Sequence, residues 1–222
     1  MDNSIDALAK EHNFITDKTI YGHNYNKTYC RYFDQLRNNP VKLLEIGVSA
    51  GHSVQVWTKY FANGTVVGFD QDIRINQYDA TDRLTLIQGD QQDAELLTKI
   101  SNEHGPFDII IDDGSHIDAI TKKSFDILFP LLASGGLYIV EDLHTSYQPI
   151  VHGIPNSCVF IDHVKELIDC VNSHGCCSSG DMLRCTHNNP ESQYCSHNKM
   201  QSMDKLIEFV HAYKNLVFIK KY

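Results

Sequence analysis

Between residues 41 and 140, short apolar runs alternate with longer stretches whose apolar residues recur at helical spacing. The runs are 41–46 (VKLLEI), 65–69 (TVVGF), 84–87 (LTLI), 107–111 (FDIII) and 137–140 (LYIV). Each is too short for a core helix and is apolar along nearly its whole length, the pattern of a strand buried on both faces. The intervening segments 51–60, 93–102 and 117–132 are predicted as helices, the last broken by Gly135-Gly136. Repeated strand–helix units of this kind imply a parallel sheet covered by helices on both faces. The C-terminal part differs. Residues 158–171 read as a helix, 172–198 as a polar loop rich in Cys and His, and 206–213 and 216–219 as strands. Only Lys214-Asn215 separates these two strands, so an antiparallel hairpin at the sheet edge is predicted.

A length of 222 residues suits one α/β domain spanning 1–222, with a helical segment over 1–40 ahead of the first strand. Asp and Glu number 28 against 19 Lys and Arg, for a formal net charge of -9. That balance repels phosphate backbones, and no basic run offsets it, so no nucleic-acid partner is expected. The first ten residues lack a charged-then-apolar leader pattern, and no apolar run has the length of a membrane helix. A cytoplasmic protein without a membrane partner is therefore expected. Its seven cysteines are then expected as thiols.

In an open parallel sheet, ligands bind beyond the carboxyl ends of the strands. Here each of those ends carries an acid: Glu45, Asp70, Asp90, Asp112-Asp113 and Glu141-Asp142. Left uncompensated, these groups would repel one another, so hydroxyl binding, cation binding or both are expected of them. The first loop reads E-I-G-V-S-A-G. Gly47 permits a sharp strand-to-helix turn, and Gly51 lets the helix pack close to the strand. Asp70 ends the next strand, where a carboxylate can accept hydrogen bonds from ribose hydroxyls. This spacing differs from the G-x-G-x-x-G of dinucleotide enzymes but leaves nicotinamide and S-adenosylmethionine cofactors both open. On the neighbouring fourth and fifth strands, Asp113, Glu141 and Asp142 can converge on one point. Three carboxylates without sulfur suit a hard cation such as Mg2+. His116 lies three residues beyond Asp113, where an imidazole can act as general base near neutral pH. The simpler alternative is that Asp113 and Asp142 cap helices and His116 is a surface residue.

The run DDGSHIDAITKKSFDILFPLLASGGLYIVEDLHTSY, residues 112–147, resembles the metal-dependent sugar O-methyltransferases of the macrocin and mycinamicin type. The segments TDKTIYGHNYNKTYCRYF (16–33) and EIGVSAGHSVQVW (45–57) are similar to the same family. The resemblance implies a Rossmann-like class I methyltransferase, with a seven-stranded, mostly parallel sheet in the order 3-2-1-4-5-7-6 and an antiparallel last strand. It implies S-adenosyl-L-methionine and Mg2+ as cofactors. Carried onto this chain, Asp113, Glu141 and Asp142 would hold the metal, and His116 would be the base. Glu45, Gly47, Gly51 and Asp70 would hold the cofactor, with Asp90 and Gln91 near its adenine and Asp112 near its methionine part. Thr145 and Tyr147 would face the substrate, and Lys18, His23 and Tyr25 would cover the cofactor. The acceptor would be a small-molecule or glycan hydroxyl, and a homo-oligomer would fit the family.

Two features depart from that family. The larger antibiotic enzymes carry an added N-terminal region, so oligomer contacts and closure over substrate are expected to differ. The 172–198 loop has no counterpart; its repeated C-x-H-N unit (Cys185–Asn188 and Cys195–Asn198) leaves structural zinc, free thiols over the substrate and a disulfide as alternatives. The rival functions are a catechol-type O-methyltransferase, a nicotinamide-dependent oxidoreductase and an inactive binding module on the same fold.

Overall fold

A computed structural model describes residues 4–19, 22–74, 81–148, 160–173 and 204–222. Most of the Cys/His-rich 172–198 segment, and with it the alternatives for its thiols, lies outside the described residues. Two short helices lead the chain, α1 (Ile5–Glu11) and α2 (Asn26–Phe33). There follow β1 (Lys42–Ile46), α3 (His52–Tyr60), β2 (Thr65–Asp70), β3 (Leu84–Gln88), α4 (Ala94–His104), β4 (Ile109–Asp112), α5 (Asp118–Leu128) and β5 (Leu137–Val140). The last elements are α6 (Phe160–Ser173), β6 (Ile207–Tyr213) and β7 (Leu216–Lys221).

All seven strands form one sheet in the order β3-β2-β1-β4-β5-β7-β6. The six strand pairings are as the expected topology requires: β1 through β5 run parallel, β7 runs antiparallel to β5, and β6 pairs antiparallel with β7. The hairpin turn holds Asn215 at φ 60, a conformation Asn tolerates better than most residues.

Strand alternation sorts the core into two layers. Leu43, Ile109, Ile111, Leu137 and Ile139 face one side, where they meet Tyr29, Phe33, Trp57 and Phe61 from α2, α3 and its end. Leu44, Ile110, Tyr138 and Val140 face the other side, against Leu97, Phe125, Leu128 and Val164 from α4, α5 and α6. Trp57 is fully buried and lies edge-on to Tyr29, Phe33 and Tyr60.

Most element ends lie within two residues of expectation, and one differs by more. The predicted helix 117–132 stops at Leu128. Pro130 lacks the amide donor that would continue the ladder past Phe129, which is itself still helical, so the helix ends ahead of the Gly135-Gly136 break. The fourth strand begins at Ile109 rather than Phe107, with the Asp108 carboxylate accepting from the Lys42 backbone N–H at 2.8 Å. In contrast, α4 starts as its sequence suggests. Asp93 is its N-cap and accepts from the amides of Glu95 and Leu96, a cap that stabilises a helix by about 1 kcal/mol.

Candidate active site and metal centre

Register places the acids. Glu45 is opposite Ile111, Ile46 opposite Asp112, and Asp112 opposite Val140. Glu45, Asp113 and Glu141 therefore leave the sheet on the side of α2, whereas Asp112 leaves on the side of α4 and α5.

On the first side the three carboxylates surround Lys18, which is only 1% exposed. Its Nζ lies 2.7 Å from Asp113 Oδ2, 2.9 Å from Glu141 Oε1 and 3.3 Å from Glu45 Oε1. The Tyr29 hydroxyl also donates to Glu141 Oε1. Burial alone would strip the Lys18 proton, but Asp113, Glu141 and Glu45 outweigh it and hold the ammonium well above the ordinary lysine range. Burial pushes Glu45 up to about 7, with Lys18 pulling it back. Glu141 is driven upward by burial and then by Asp113, and Asp113 is raised by burial against the pull of Lys18. The cluster thus keeps its lysine charged and makes its acids harder to ionise than they would be in water.

Next to this buried group is a more open one. Asp113, His116 and Asp142 each present a ligand atom, all within 4.8 Å of one another, and all three residues are half-buried. His116 Nε2 stands 3.9 Å from Asp113 Oδ1, beyond hydrogen-bond reach. His116 and Asp142 both have φ 55, in the left-handed region that a non-glycine residue enters only when its surroundings hold it there. Asp142 is held by the Tyr25 hydroxyl, which donates to Oδ1 at 2.7 Å, with His23 Nδ1 3.5 Å from the same oxygen. His23 stacks on Tyr25 and on His144. Neither carboxylate makes a cap bond: the N-cap position of α5 is Ile117, and Asp142, although at the N-cap position of the 3-10 turn Leu143–Tyr147, makes no side-chain cap bond there. The capping alternative therefore does not account for these carboxylates.

A cavity of about 520 Å3 adjoins the cluster, lined by residues 14–19, Gly22, residues 47–53 and Asp113. Its floor is the glycine loop. Gly47 has φ 90, and a Cβ there would lie 1.9 Å from the Asp113 carbonyl oxygen, so only glycine lets the first loop and the D-G-S-H loop touch. Gly51, at φ 77, starts α3. Asp70 secures this loop: its Oδ2 accepts from the Val48 and Ser49 amides at 2.7 and 2.8 Å, and its Oδ1 from Asp72 at 3.0 Å.

Of the expected cofactor residues, Gly47 and Gly51 reach the cavity wall, whereas Glu45, Asp70, Asp90, Gln91 and Asp112 stand behind or beside it. Gln91 bridges inward, donating to Asp112 Oδ1 at 2.9 Å and Ser124 Oγ at 3.1 Å and accepting from the Ser115 amide at 2.9 Å. Asp112 also accepts from Tyr138 at 3.0 Å, and burial lifts it to about 6. Asp90 accepts from the Gln92 amide. Thr145 donates to the Asp142 carbonyl, and Tyr147 is 68% exposed beside the mouth-side turn. Lys18, expected to cover the cofactor, both lines the cavity and grips the acids; Tyr29 was missed altogether. Tyr29 sits in α2 among apolar neighbours, where its phenol gives no sign of a carboxylate on a distant strand.

A glycine loop, a cavity above it and an acid cluster at the ends of β4 and β5 define a class I methyltransferase domain. Residues 44–143 match the family model described as a methyltransferase domain.

Within that class the chain is similar to sugar O-methyltransferases of antibiotic pathways, as its D-D-G-S-H and E-D-L-H-T-S-Y segments imply. It is 35% identical over 219 residues to mycinamicin VI 2''-O-methyltransferase of Micromonospora griseorubida, a match covering 94% of this chain and 50% of the relative. It is 33% identical to demethylmacrocin O-methyltransferase of Streptomyces fradiae, over 94% of this chain and 51% of that one. Among solved structures, MycE methyltransferase from the mycinamycin biosynthetic pathway, in complex with Mg, SAH and mycinamycin VI, superposes with a TM-score of 0.76 at 32% identity. That superposition covers 98% of this chain and 53% of the other. The chain thus spans about half the length of the curated relatives it matches. Among the described residues no helix is long and apolar enough to cross a membrane.

Proposed function

We propose that this chain is an S-adenosylmethionine-dependent O-methyltransferase, assisted by Mg2+, whose acceptor is a hydroxyl of a sugar or glycoside. The observation that carries this reading is the position of Asp113, His116 and Asp142, grouped within 4.8 Å at the edge of the glycine-loop cavity. The donor set fits a hard cation: the Asp113 and Asp142 carboxylates supply oxygen and no sulfur, leaving coordination positions for water and substrate oxygens, with the His116 imidazole beside the ion and free to accept a proton. The cavity that would take a nucleoside cofactor is lined by the glycine loop, residues 47–53, together with the N-terminal stretch 14–19. When bound, S-adenosylmethionine supplies an activated methyl group, and a divalent cation supplies positive charge beside a developing alkoxide.

The protein's residues then have separable tasks. Asp113 and Asp142 hold the cation, with Glu141 behind them as a further acid. His116 Nε2 takes the acceptor's hydroxyl proton, for which an imidazole is suited near neutral pH. Asp70 stiffens the glycine loop and retains some acceptor capacity on Oδ1 for a ribose hydroxyl. Asp90 remains a candidate for the adenine end, while Gln91 and Asp112 brace the D-G-S-H loop from behind. The N-terminal segment covers the cofactor through residues 14–19. Thr145 and the exposed Tyr147 face the acceptor. The relatives' named activities support a sugar acceptor over a catechol.

Methyl transfer from labelled S-adenosylmethionine to a panel of glycosides, with and without EDTA, tests the whole assignment. Chelation should abolish transfer. His116→Ala should lower kcat by about 10²–10⁴-fold with cofactor binding retained; a loss below about tenfold removes His116 as base.

A further inference from the structure

The cavity wall and the metal centre share one carboxylate. Asp113 turns Oδ2 to Lys18 at 2.7 Å, whereas Oδ1 faces His116 Nε2 at 3.9 Å. Lys18 belongs to the stretch 14–19 that lines the cavity opposite the glycine loop, and its ammonium is enclosed by Glu45, Asp113 and Glu141. A buried ammonium bonded to three acids is already an internal cation. Any second cation taken up by Asp113 and Asp142 must bind within a few ångströms of it, in a medium that screens charge far less than water does.

We propose that Lys18 is a positioning residue that opposes the divalent ion. It engages Glu141 and Asp113 Oδ2, leaves Asp113 Oδ1 beside His116 and Asp142 for the metal, and by its charge keeps that metal weakly held and exchangeable. This inference rests on the metal-assisted activity proposed above. It explains why Glu141, adjacent in sequence to Asp142, is drawn toward Lys18 and Tyr29 instead of the open cluster. It also links the two halves of the site mechanically: the segment that walls the cofactor cavity is anchored on a ligand of the metal.

A purely structural lysine and an opposing one predict opposite signs. If Lys18 only props up the fold, its loss should loosen the acid cluster and weaken metal binding. If its charge opposes the ion, Lys18→Met should bind Mn2+ about tenfold more tightly than the natural chain, because one repulsive charge is gone and the three carboxylate oxygens it holds are freed. Lys18→Arg, which keeps the charge, should stay within about twofold. Free Mn2+ counted by electron paramagnetic resonance, on the full chain without cofactor, reads these affinities directly. Unchanged or weaker binding by Lys18→Met overturns the inference while leaving the metal reading intact. If neither the natural chain nor Lys18→Met binds Mn2+, the metal-assisted activity falls, and this inference with it. Should Lys18→Met not fold, the natural chain supplies the test: the 15Nζ resonance of Lys18 should move when Mg2+ is added, and a resonance unmoved at saturating Mg2+ overturns the inference equally.

Discussion

Asp112 and Asp113 are neighbours in sequence at the end of one strand, yet they satisfy their negative charge in opposite ways. Asp112 faces α4 and α5, where Gln91 and Tyr138 donate neutral hydrogen bonds to its two oxygens. Asp113 faces α2 and the N-terminal segment, where Lys18 gives it a full charge. The neutral arrangement is closed, with every partner itself fixed: Gln91 by Ser124 and Ser115, Tyr138 by the core against Phe125. The ionic arrangement is open at one edge, because Asp113 Oδ1 points to His116 and the cavity. The same residue type at adjacent positions thus serves as a brace on one face of the sheet and as a working group on the other, and what separates the roles is whether a carboxylate oxygen is left free for a ligand.

The largest stability effect should come from the ionic face. Lys18→Met leaves three buried acids without their cation, and breaking a buried ion pair by removing one partner costs about 3–5 kcal/mol. Urea unfolding at neutral pH should show that loss, and added Mg2+ should recover part of it. The neutral face can be tested through pH. Burial raises Asp112 from an ordinary 3.8 to about 6, so between those values the folded chain holds a proton that the unfolded chain has released. This group's contribution is fully present below about pH 4 and is lost as pH rises through about 6, a change of roughly 3 kcal/mol. Asp112→Asn cannot titrate, and its unfolding free energy should be correspondingly flatter over that window. An unchanged slope would show that Asp112 is not the group responsible.

A smaller and sharper contrast uses the two buried phenols. Tyr138 donates to Asp112 and Tyr29 to Glu141. Replacing either with Phe leaves a buried acceptor short of one donor, at a cost of about 1–3 kcal/mol. The two should part when Mg2+ is added: Tyr29→Phe should regain stability, because its acid adjoins the metal cluster, whereas Tyr138→Phe should regain none. Equal responses would erase the distinction between the faces.

How much of this could be read from the chain follows from the range of each interaction. The strands were legible because 41–46, 65–69 and 137–140 are apolar runs ended by acids or glycine, and the order of the sheet followed from the family resemblance. The end of α5 was missed because the Gly135-Gly136 pair drew the boundary when Pro130, closer in, controls it. That acids crowd the strand ends was visible from parallel topology alone. Their division between faces was also available, since Glu45, Asp113 and Glu141 share one parity with the apolar residues before them, and Asp112 the other. What no local pattern could supply was the partner. Lys18 and Asp113 are 95 residues apart, and Tyr29 and Glu141 are 112 apart. The excess of carboxylates announced that a cation was needed, but not that the chain itself provides one.

The slightest of the expected stability effects bears on the open edge of the ionic face. Tyr25 is anchored in α2's N-terminal approach and donates to Asp142 Oδ1 at 2.7 Å, with the Asn215 carbonyl 3.4 Å away as an alternative acceptor. Because that alternative exists and Asp142 is only half-buried, Tyr25→Phe should cost about 1 kcal/mol or less in stability. Its effect on the metal should be larger than its effect on the fold. Asp142 adopts a left-handed backbone that throws its carboxylate toward Asp113 and His116, and Tyr25 with His23 fixes which way that carboxylate faces. Outer partners of metal ligands commonly contribute about tenfold or more in affinity, so Tyr25→Phe should weaken Mn2+ binding by roughly tenfold, opposite in sign to Lys18→Met. Two substitutions in the same N-terminal segment would then move metal affinity in opposite directions, one by removing a competing charge and the other by releasing an oriented ligand. If instead both weaken it, the segment acts on the metal only as packing, and the difference between the closed and open faces of the sheet is one of exposure rather than of charge.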